Sequence, residues 1–139
     1  MSTISPETAL VYTMVLISAC DGRMTDSEIA RMTFLVGGLP AFQGYDRGRL
    51  LSDSEACTAI LEEEDGLDAV LGLIKEAVPD SHMDLVYTVA CDVAAADGKL
   101  SQEELRVLEI MRYDLTIDRL VAAAIERSAA ARRRTFAEG

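Results

Sequence analysis

A short pattern occurs twice in this chain, and the two copies lie 76 residues apart. The first copy begins at Asp21-Gly22 and the second at Asp97-Gly98. Each continues with a basic, an apolar and a hydroxyl residue, and a glutamate follows three positions after the hydroxyl. A recurrence at a fixed offset indicates one structural unit used twice. The glycine accepts a positive φ at little cost, which a chain leaving one helix for another often requires.

The residues that follow each glycine predict the start of a helix. Thr25 with Glu28, and Ser101 with Glu104, have the spacing of a capping box. In that motif the hydroxyl accepts a hydrogen bond from a first-turn N–H, and the glutamate accepts one from the cap residue's own N–H. Apolar residues at the flanking positions fit hydrophobic staples: Met24 with Ile29, and Leu100 with Leu105. Each copy therefore predicts a helix–turn–helix corner.

Composition predicts an all-α domain built around these corners. The chain has 139 residues, of which half are hydrophobic, so one domain can bury a core without disulfides. Ala, Leu, Val, Met and Glu dominate, Trp is absent, and no segment alternates with period two. We therefore predict a single domain over residues 1–139, a bundle of about seven helices with an internal pseudo-twofold repeat. The repeat units span about residues 5–40 and 81–116.

Cap residues and glycines predict where most of the helices begin and end. The first helix begins at Ser5-Pro6, and the second follows Thr25 and ends at Gly37-Gly38. Further starts are predicted at Ser52, which is three residues before Glu55, at Ser81 and at Thr116. The helix that starts at Ser81 is expected to be long and to reach Ala96.

Charge and cysteine usage exclude several classes of function. The net charge of −11 repels nucleic acid and anionic lipid, and it attracts cations or basic protein partners. The longest apolar stretch, Ala9–Cys20, is too short to span a bilayer, and no leader pattern is present, so we expect a cytoplasmic protein. Three cysteines without Cys-x-x-Cys spacing indicate buried thiols and not a zinc ribbon. The arginines at 132–134 fit a helix end, or alternatively a basic tail.

The second corner also looks like part of a calcium-binding loop, but it lacks the early ligands. If Glu104 were the last ligand of an EF-hand loop, Val93 and Ala95 would occupy the first and third ligand positions. Ile17 and Ala19 occupy the same positions in the first copy. Because these side chains have no oxygen donors, the pattern does not predict a calcium-sensing EF-hand.

A weaker metal hypothesis remains, in which the two corners share one site. If the pseudo-twofold brings them together, Asp21, Glu28, Asp97 and Glu104 could converge on a divalent cation such as Ca²⁺, Mg²⁺ or Mn²⁺, which prefer oxygen ligands. We expect these four residues on one acidic, solvent-accessible surface. Alternatively, the aspartates only accept hydrogen bonds within their turns and the glutamates only cap their helices. Asp92 is a further candidate, either as a functional carboxylate or as the acceptor of an intrahelix or core hydrogen bond.

The segment from Tyr87 to Glu104 resembles the signature of the TerB-like tellurite-resistance family. It has an Ala-rich helix followed by Asp-Gly-x-apolar-Ser-x-x-Glu, and Ile17 to Leu35 resembles a first copy of the same signature. The resemblance implies an all-helical bundle with internal pseudosymmetry and an acidic surface that binds metal. One departure is that Ser27 stands where the second copy has Glu103.

Two classes of function fit these observations. The first is a noncatalytic, acidic module that binds an ion or a protein partner in a bacterial stress response. The alternative is a metal-assisted hydrolase that uses the same carboxylates. The chain has one histidine, His82, no Gly-rich phosphate loop and no recognisable nucleophile-plus-base pattern, so the residues favour the binding module.

Overall fold

Seven α-helices form the framework of the protein in a computed structural model that describes residues 3–20, 22, 24–94, 96 and 100–137. The helices are α1 (Pro6–Ala19), α2 (Asp26–Gly38), α3 (Leu50–Leu61), α4 (Gly66–Ala77), α5 (Met83–Val93), α6 (Gln102–Asp114) and α7 (Arg119–Arg132). Short 3₁₀ helices lie at Pro40–Phe42, Arg47–Arg49 and Asp80–His82. The described residues include no strand, and the prediction of an all-α domain of about seven helices is confirmed.

Helices α1 and α5 form the centre of the bundle. All residues of α1 from Thr8 to Ser18 are buried, which explains why this segment is apolar on every side and shows no amphipathic pattern. Helix α1 packs against α3, α4 and α5, and α5 also packs against α7. The second helix of each corner contacts the first helix of the other, because α2 packs on α5 and α6 packs on α1. This crossed packing positions the two corners.

Several predicted helix ends are confirmed. Ser5 caps α1 by accepting a hydrogen bond from the Thr8 N–H at 3.1 Å, and Pro6 follows as the first helical residue. Helix α2 begins after Thr25 and ends at Gly38. Each of these ends depends on bonds between residues close in sequence, which is why the sequence alone predicts them.

Three predicted helix starts are wrong, and each error involves a hydroxyl residue. Helix α3 begins at Leu50, directly after a 3₁₀ turn, so Ser52 lies inside it and donates to the Arg49 carbonyl at 3.1 Å. Ser81 lies in a 3₁₀ turn before α5, which is shorter than predicted and ends at Val93. The last helix is capped by Asp118, whereas Thr116 has φ 56° in the preceding turn.

A buried aspartate fastens α3 to α1. Asp53 is 6% exposed and accepts hydrogen bonds from the Thr8 hydroxyl at 3.0 Å and the Tyr45 hydroxyl at 2.6 Å. Arg49, mostly exposed, adds an ion pair with Asp53 at 3.5 Å. Burial and the bond to Asp53 raise the pKa of Tyr45, so this hydroxyl remains a donor. The carboxylate thus joins α1, α3 and the loop between α2 and α3.

Charged pairs nearer the surface fasten α7 to α5 and α6. Glu126 of α7 accepts from the Tyr87 hydroxyl and forms an ion pair with Arg112 at 2.9 Å. At the end of α7, Arg132 pairs with Asp92, and Arg133 donates to the Cys91 carbonyl at 3.3 Å. The arginine run therefore contributes to helix packing. Asp92 has a structural partner, but this pair joins two helices near the surface, whereas the structural interpretation predicted an intrahelix or core hydrogen bond.

Candidate functional site: a buried glutamate pair between two corners

The two corners have the same hydrogen-bond geometry. Oγ1 of Thr25 accepts from the Glu28 N–H at 3.1 Å, and Oε1 of Glu28 accepts from the Thr25 N–H at 2.9 Å. The corresponding distances for Ser101 and Glu104 are 3.0 and 2.9 Å. Both predicted capping boxes are therefore confirmed. In the first corner, Gly22 has φ 84°, as the pattern predicted. Gly98, its equivalent, lies outside the described residues.

The two capping glutamates are buried and contact each other. Glu28 is 4% exposed and Glu104 is 3% exposed. The pKa of Glu28 is raised, first by burial and then by the neighbouring Glu104 carboxyl group, which is hydrogen-bonded to it and repels its charge. The Thr25 N–H acts in the opposite direction, because it stabilises the ionised form. Two carboxyl groups in such contact cannot both carry a full charge without a proton or cation between them.

The helix termini orient these carboxyl groups. Each glutamate is the third residue of its helix, so its side chain folds back toward the helix N-terminus, where free N–H groups and the macrodipole favour negative charge. Because Glu28 and Glu104 interact directly and each lies in the first turn of its helix, the N-termini of α2 and α6 lie close together. The side chains therefore have little freedom to turn outward.

The four predicted site residues have different outcomes. Glu28 and Glu104 are together, but the expectation that they lie on a solvent-accessible surface is wrong, because the capping bonds draw both side chains into the interior. Asp21 and Asp97 lie outside the described residues. Within the part of the chain that the structure describes, no cluster of three or more His, Cys, Asp or Glu side chains could hold a metal ion. The four-carboxylate site stays a prediction.

The sequence alone does not predict the direct contact between Glu28 and Glu104. It identified both residues from the repeat, but their contact depends on how α2 and α6 cross the central helices. The only signal in the sequence is that both corners carry a glutamate at the same cap position. The pattern of Glu at N3 predicts capping alone.

A groove lies beside each corner, between its second helix and the third helix of the same half. The α2/α3 groove has a volume of about 400 Å³ and a largely apolar lining that includes Met24, Ile29, Met32, Leu50 and Leu51. The α6/α7 groove, of about 520 Å³, is lined by Leu100, Leu105 and Leu108 together with Arg106, Glu109, Arg112 and Glu126. Each predicted staple pair lines one groove. Among the described residues, Arg47 is the one charged residue that lines the first groove, whereas charges of both signs line the second.

The fold and the paired corners define a class of all-α proteins with two helix–turn–helix units around a common centre. The family model described as tellurite resistance protein TerB matches residues 7–127. The chain therefore belongs to the TerB family, and the resemblance seen in the sequence is confirmed. No curated protein and no solved structure matches the chain significantly. No helix in the described part of the chain is long and apolar enough to cross a membrane.

Proposed function

We propose that this protein is a noncatalytic acidic module that binds a divalent cation at the junction of its two corners, and that it acts in a tellurite-resistance or related stress response. The family description supports the physiological setting. The observation that carries the proposal is the contact between the buried carboxyl groups of Glu28 and Glu104. In the absence of a cation, this contact needs a proton to offset the repulsion between the two charges.

A cation can replace that proton. Carboxylate oxygens suit hard cations, so Mg²⁺, Mn²⁺ and Ca²⁺ are the proposed ions. Glu28 and Glu104 alone supply fewer ligands than these ions require. We propose Asp21 and Asp97 as further ligands, because each stands at the same position of its corner sequence. Water would complete the coordination shell, as is usual for Mg²⁺.

Isothermal titration calorimetry with each metal chloride tests the proposal on the full chain. We expect weak binding, with a Kd of about 10⁻⁴ to 10⁻³ M, in the range of sites with few protein ligands. If a cation displaces a shared proton, binding near neutral pH releases up to about one proton per ion. Titrations in two buffers with different ionisation enthalpies measure that release.

Glutamine substitutions separate ion binding from helix capping. Glu28→Gln and Glu104→Gln each remove one carboxylate, but glutamine also fits the N3 position of a capping box, so the fold is retained. We expect each variant to weaken binding at least about tenfold. Glu103→Gln is the matched control, because Glu103 is exposed in the same first turn. Absence of binding heat, or equal weakening in all three variants, would contradict a site at the glutamate pair.

The hydrolase alternative gains no support from the described groups. His82 is exposed, and its Nδ1 lies 2.8 Å from the hydroxyl of its neighbour Ser81. The thiols of Cys57 and Cys91 are buried, and burial raises the pKa of each to about 12. Thiols with such pKa values are poor nucleophiles at neutral pH. We therefore keep the binding module as the proposal.

A further inference from the structure

The α2/α3 groove combines an apolar lining with one cationic side chain, Arg47, for which the described residues provide no acidic partner. Arg47 lines the groove, and its guanidinium donates a 3.4 Å hydrogen bond to the Gly37 carbonyl. Among the described residues, no carboxylate lies within ion-pair distance of its guanidinium. Leu51 is 71% exposed and Ile29 is 46% exposed at the same groove. An exposed apolar surface next to an unpaired arginine is suited to a partner that brings both apolar and acidic groups.

In the α6/α7 groove, which is the equivalent groove of the other half, the arginines pair with glutamates of the same chain. There Arg112 pairs with Glu126 at 2.9 Å, and Arg106 pairs with Glu109 at 2.8 Å. The arginines of that groove therefore already have acidic partners. No hydrogen bond or ion pair between described residues joins α2 to α3 across the first groove.

Local charge favours an acidic occupant. Among the described residues that line this groove, Arg47 is the one charged residue, and no carboxylate lines it. At physiological salt, charges more than about 8 Å apart are largely screened, so Arg47 attracts a carboxylate placed in the groove although the chain as a whole is acidic.

We propose that the α2/α3 groove is a docking site for an amphipathic helix of another protein, whose apolar residues contact Ile29 and Leu51 and whose carboxylate pairs with Arg47. A groove between two helices accepts a third helix through apolar residues spaced about one turn apart. The described residues offer no strand edge to which an extended peptide could add. This proposal does not depend on cation binding at the glutamate pair.

A pair of synthetic peptides tests the docking site by fluorescence anisotropy with the full chain. Each peptide is a labelled, Ala-rich helix of about 16 residues with leucines at i, i+3 and i+7, and the flanking residues are Glu in one and Lys in the other. We expect the Glu peptide to bind about fivefold more tightly than the Lys peptide, as a partly exposed ion pair predicts. Shifts of amide resonances from Ile29, Thr33 and Leu51 on binding would locate the peptide.

Substitutions at the groove have matched controls on α7. Arg47→Glu should reverse the preference between the two peptides, and Leu51→Ser should weaken both by about fivefold. Arg127→Glu and Leu120→Ser alter exposed residues of the same types elsewhere and should leave both affinities unchanged.

Two results would overturn the proposal. The first is an absence of saturable binding, or affinities that do not respond to Arg47→Glu and Leu51→Ser. The second is a concentration-dependent dimer, seen by analytical ultracentrifugation and abolished by Leu51→Ser, which would assign the groove to a second copy of the chain. Circular dichroism checks that Leu51→Ser and Arg47→Glu are folded, which we expect because both residues are exposed.

Discussion

The N-terminal half of the molecule, α1 to α3, and the C-terminal half, α5 to α7, each contain one copy of the corner. The two halves differ in the contacts that fix their third helix. Helix α3 is fixed by Asp53, a buried carboxylate that accepts hydrogen bonds from Thr8 and Tyr45 and also pairs with the mostly exposed Arg49. Helix α7 is fixed by Glu126 and by the pair of Arg132 with Asp92, in which all charged side chains are at least 17% exposed. Buried polar contacts are costly to break, whereas exposed ion pairs contribute little. The two halves therefore have equivalent corners, but the contacts that attach α3 to the bundle are stronger than those that attach α7.

The two buried cysteines report separately on the two halves, and thiol labelling gives the largest expected effect. Cys57 lies on α3 against the Tyr12 carbonyl, and Cys91 lies on α5 beside the end of α7. In a Cys20→Ser background, we expect both thiols to react at least about a thousandfold more slowly than in the unfolded chain, because labelling requires local opening. Burial raises the pKa of both to about 12, which slows the reaction further.

The comparison predicts that Cys91 reacts faster than Cys57. The pairs that hold α7 are weaker than the network at Asp53, so α7 should open more readily. Labelling with an aromatic disulfide reagent, followed by mass spectrometry of the modified peptides, gives the two rates. Equal rates would indicate that the halves open as one cooperative unit, and faster labelling of Cys57 would reverse the comparison.

Substitution of the buried aspartate should cause the largest loss of stability. Asp53→Ala leaves the Thr8 and Tyr45 hydroxyls without their acceptor in the interior. We expect the free energy of unfolding to fall by about 3 kcal/mol, as is typical when a buried, hydrogen-bonded charge is removed. Urea denaturation measures the change. Glu55→Ala is the control, because Glu55 is exposed on the same helix and should cost less than about 0.5 kcal/mol.

Glu126→Gln is the matching change in the other half. Glu126 is 39% exposed in its side chain, and glutamine can still accept a hydrogen bond from Tyr87. We expect a loss of about 1 kcal/mol at most, because the ion pair with Arg112 is partly solvated. A loss as large as that of Asp53→Ala would show that α7 is held as firmly as α3.

The sequence predicts contacts that are local and misses those that cross the fold. The caps at Ser5, Thr25 and Ser101 are predicted because each depends on a bond between residues three apart. The role of Asp53 is missed, because one of its partners, Thr8, is 45 residues away. The contact of Glu28 with Glu104 likewise depends on tertiary packing. Repeated spacing indicates both residues but does not show that they meet.

The wrong helix starts have a related physical cause. Ser52 and Thr116 satisfy the residue preferences of a cap, yet a hydroxyl can also donate to a carbonyl within a helix or occupy a turn. Helix α3 instead begins at Leu50, directly after the 3₁₀ turn at Arg47–Arg49. Residue type identifies a hydroxyl that can cap, but the path of the chain before the helix decides whether it does.

The capping boxes provide the closest test of equivalence between the two corners. Thr25→Ala and Ser101→Ala should each lower the free energy of unfolding by about 1 kcal/mol, because each removes the acceptor of one first-turn N–H. Urea denaturation of the single and double variants measures both losses and their coupling. Since Glu28 contacts Glu104, we expect the double loss to differ from the sum of the single losses by more than about 0.5 kcal/mol. Simple additivity would indicate that the corners are energetically independent.

The smallest expected effect is at the end of α7, where Arg132→Gln removes the ion pair with Asp92. The Arg132 side chain is 52% exposed, so we expect a loss of about 0.5 kcal/mol at low salt. Salt should reduce this loss further, because it screens exposed charges, and 1 M NaCl should bring the stability of the variant close to that of the parent protein.

The labelling rate of Cys91 gives a more sensitive measurement than global unfolding, because Arg132 pairs with Asp92, the residue next to Cys91. We expect Arg132→Gln to accelerate labelling of Cys91 by about twofold while leaving Cys57 unchanged. Acceleration at both cysteines would mean that the end of α7 supports the whole bundle, and the difference between the two halves would then lie elsewhere.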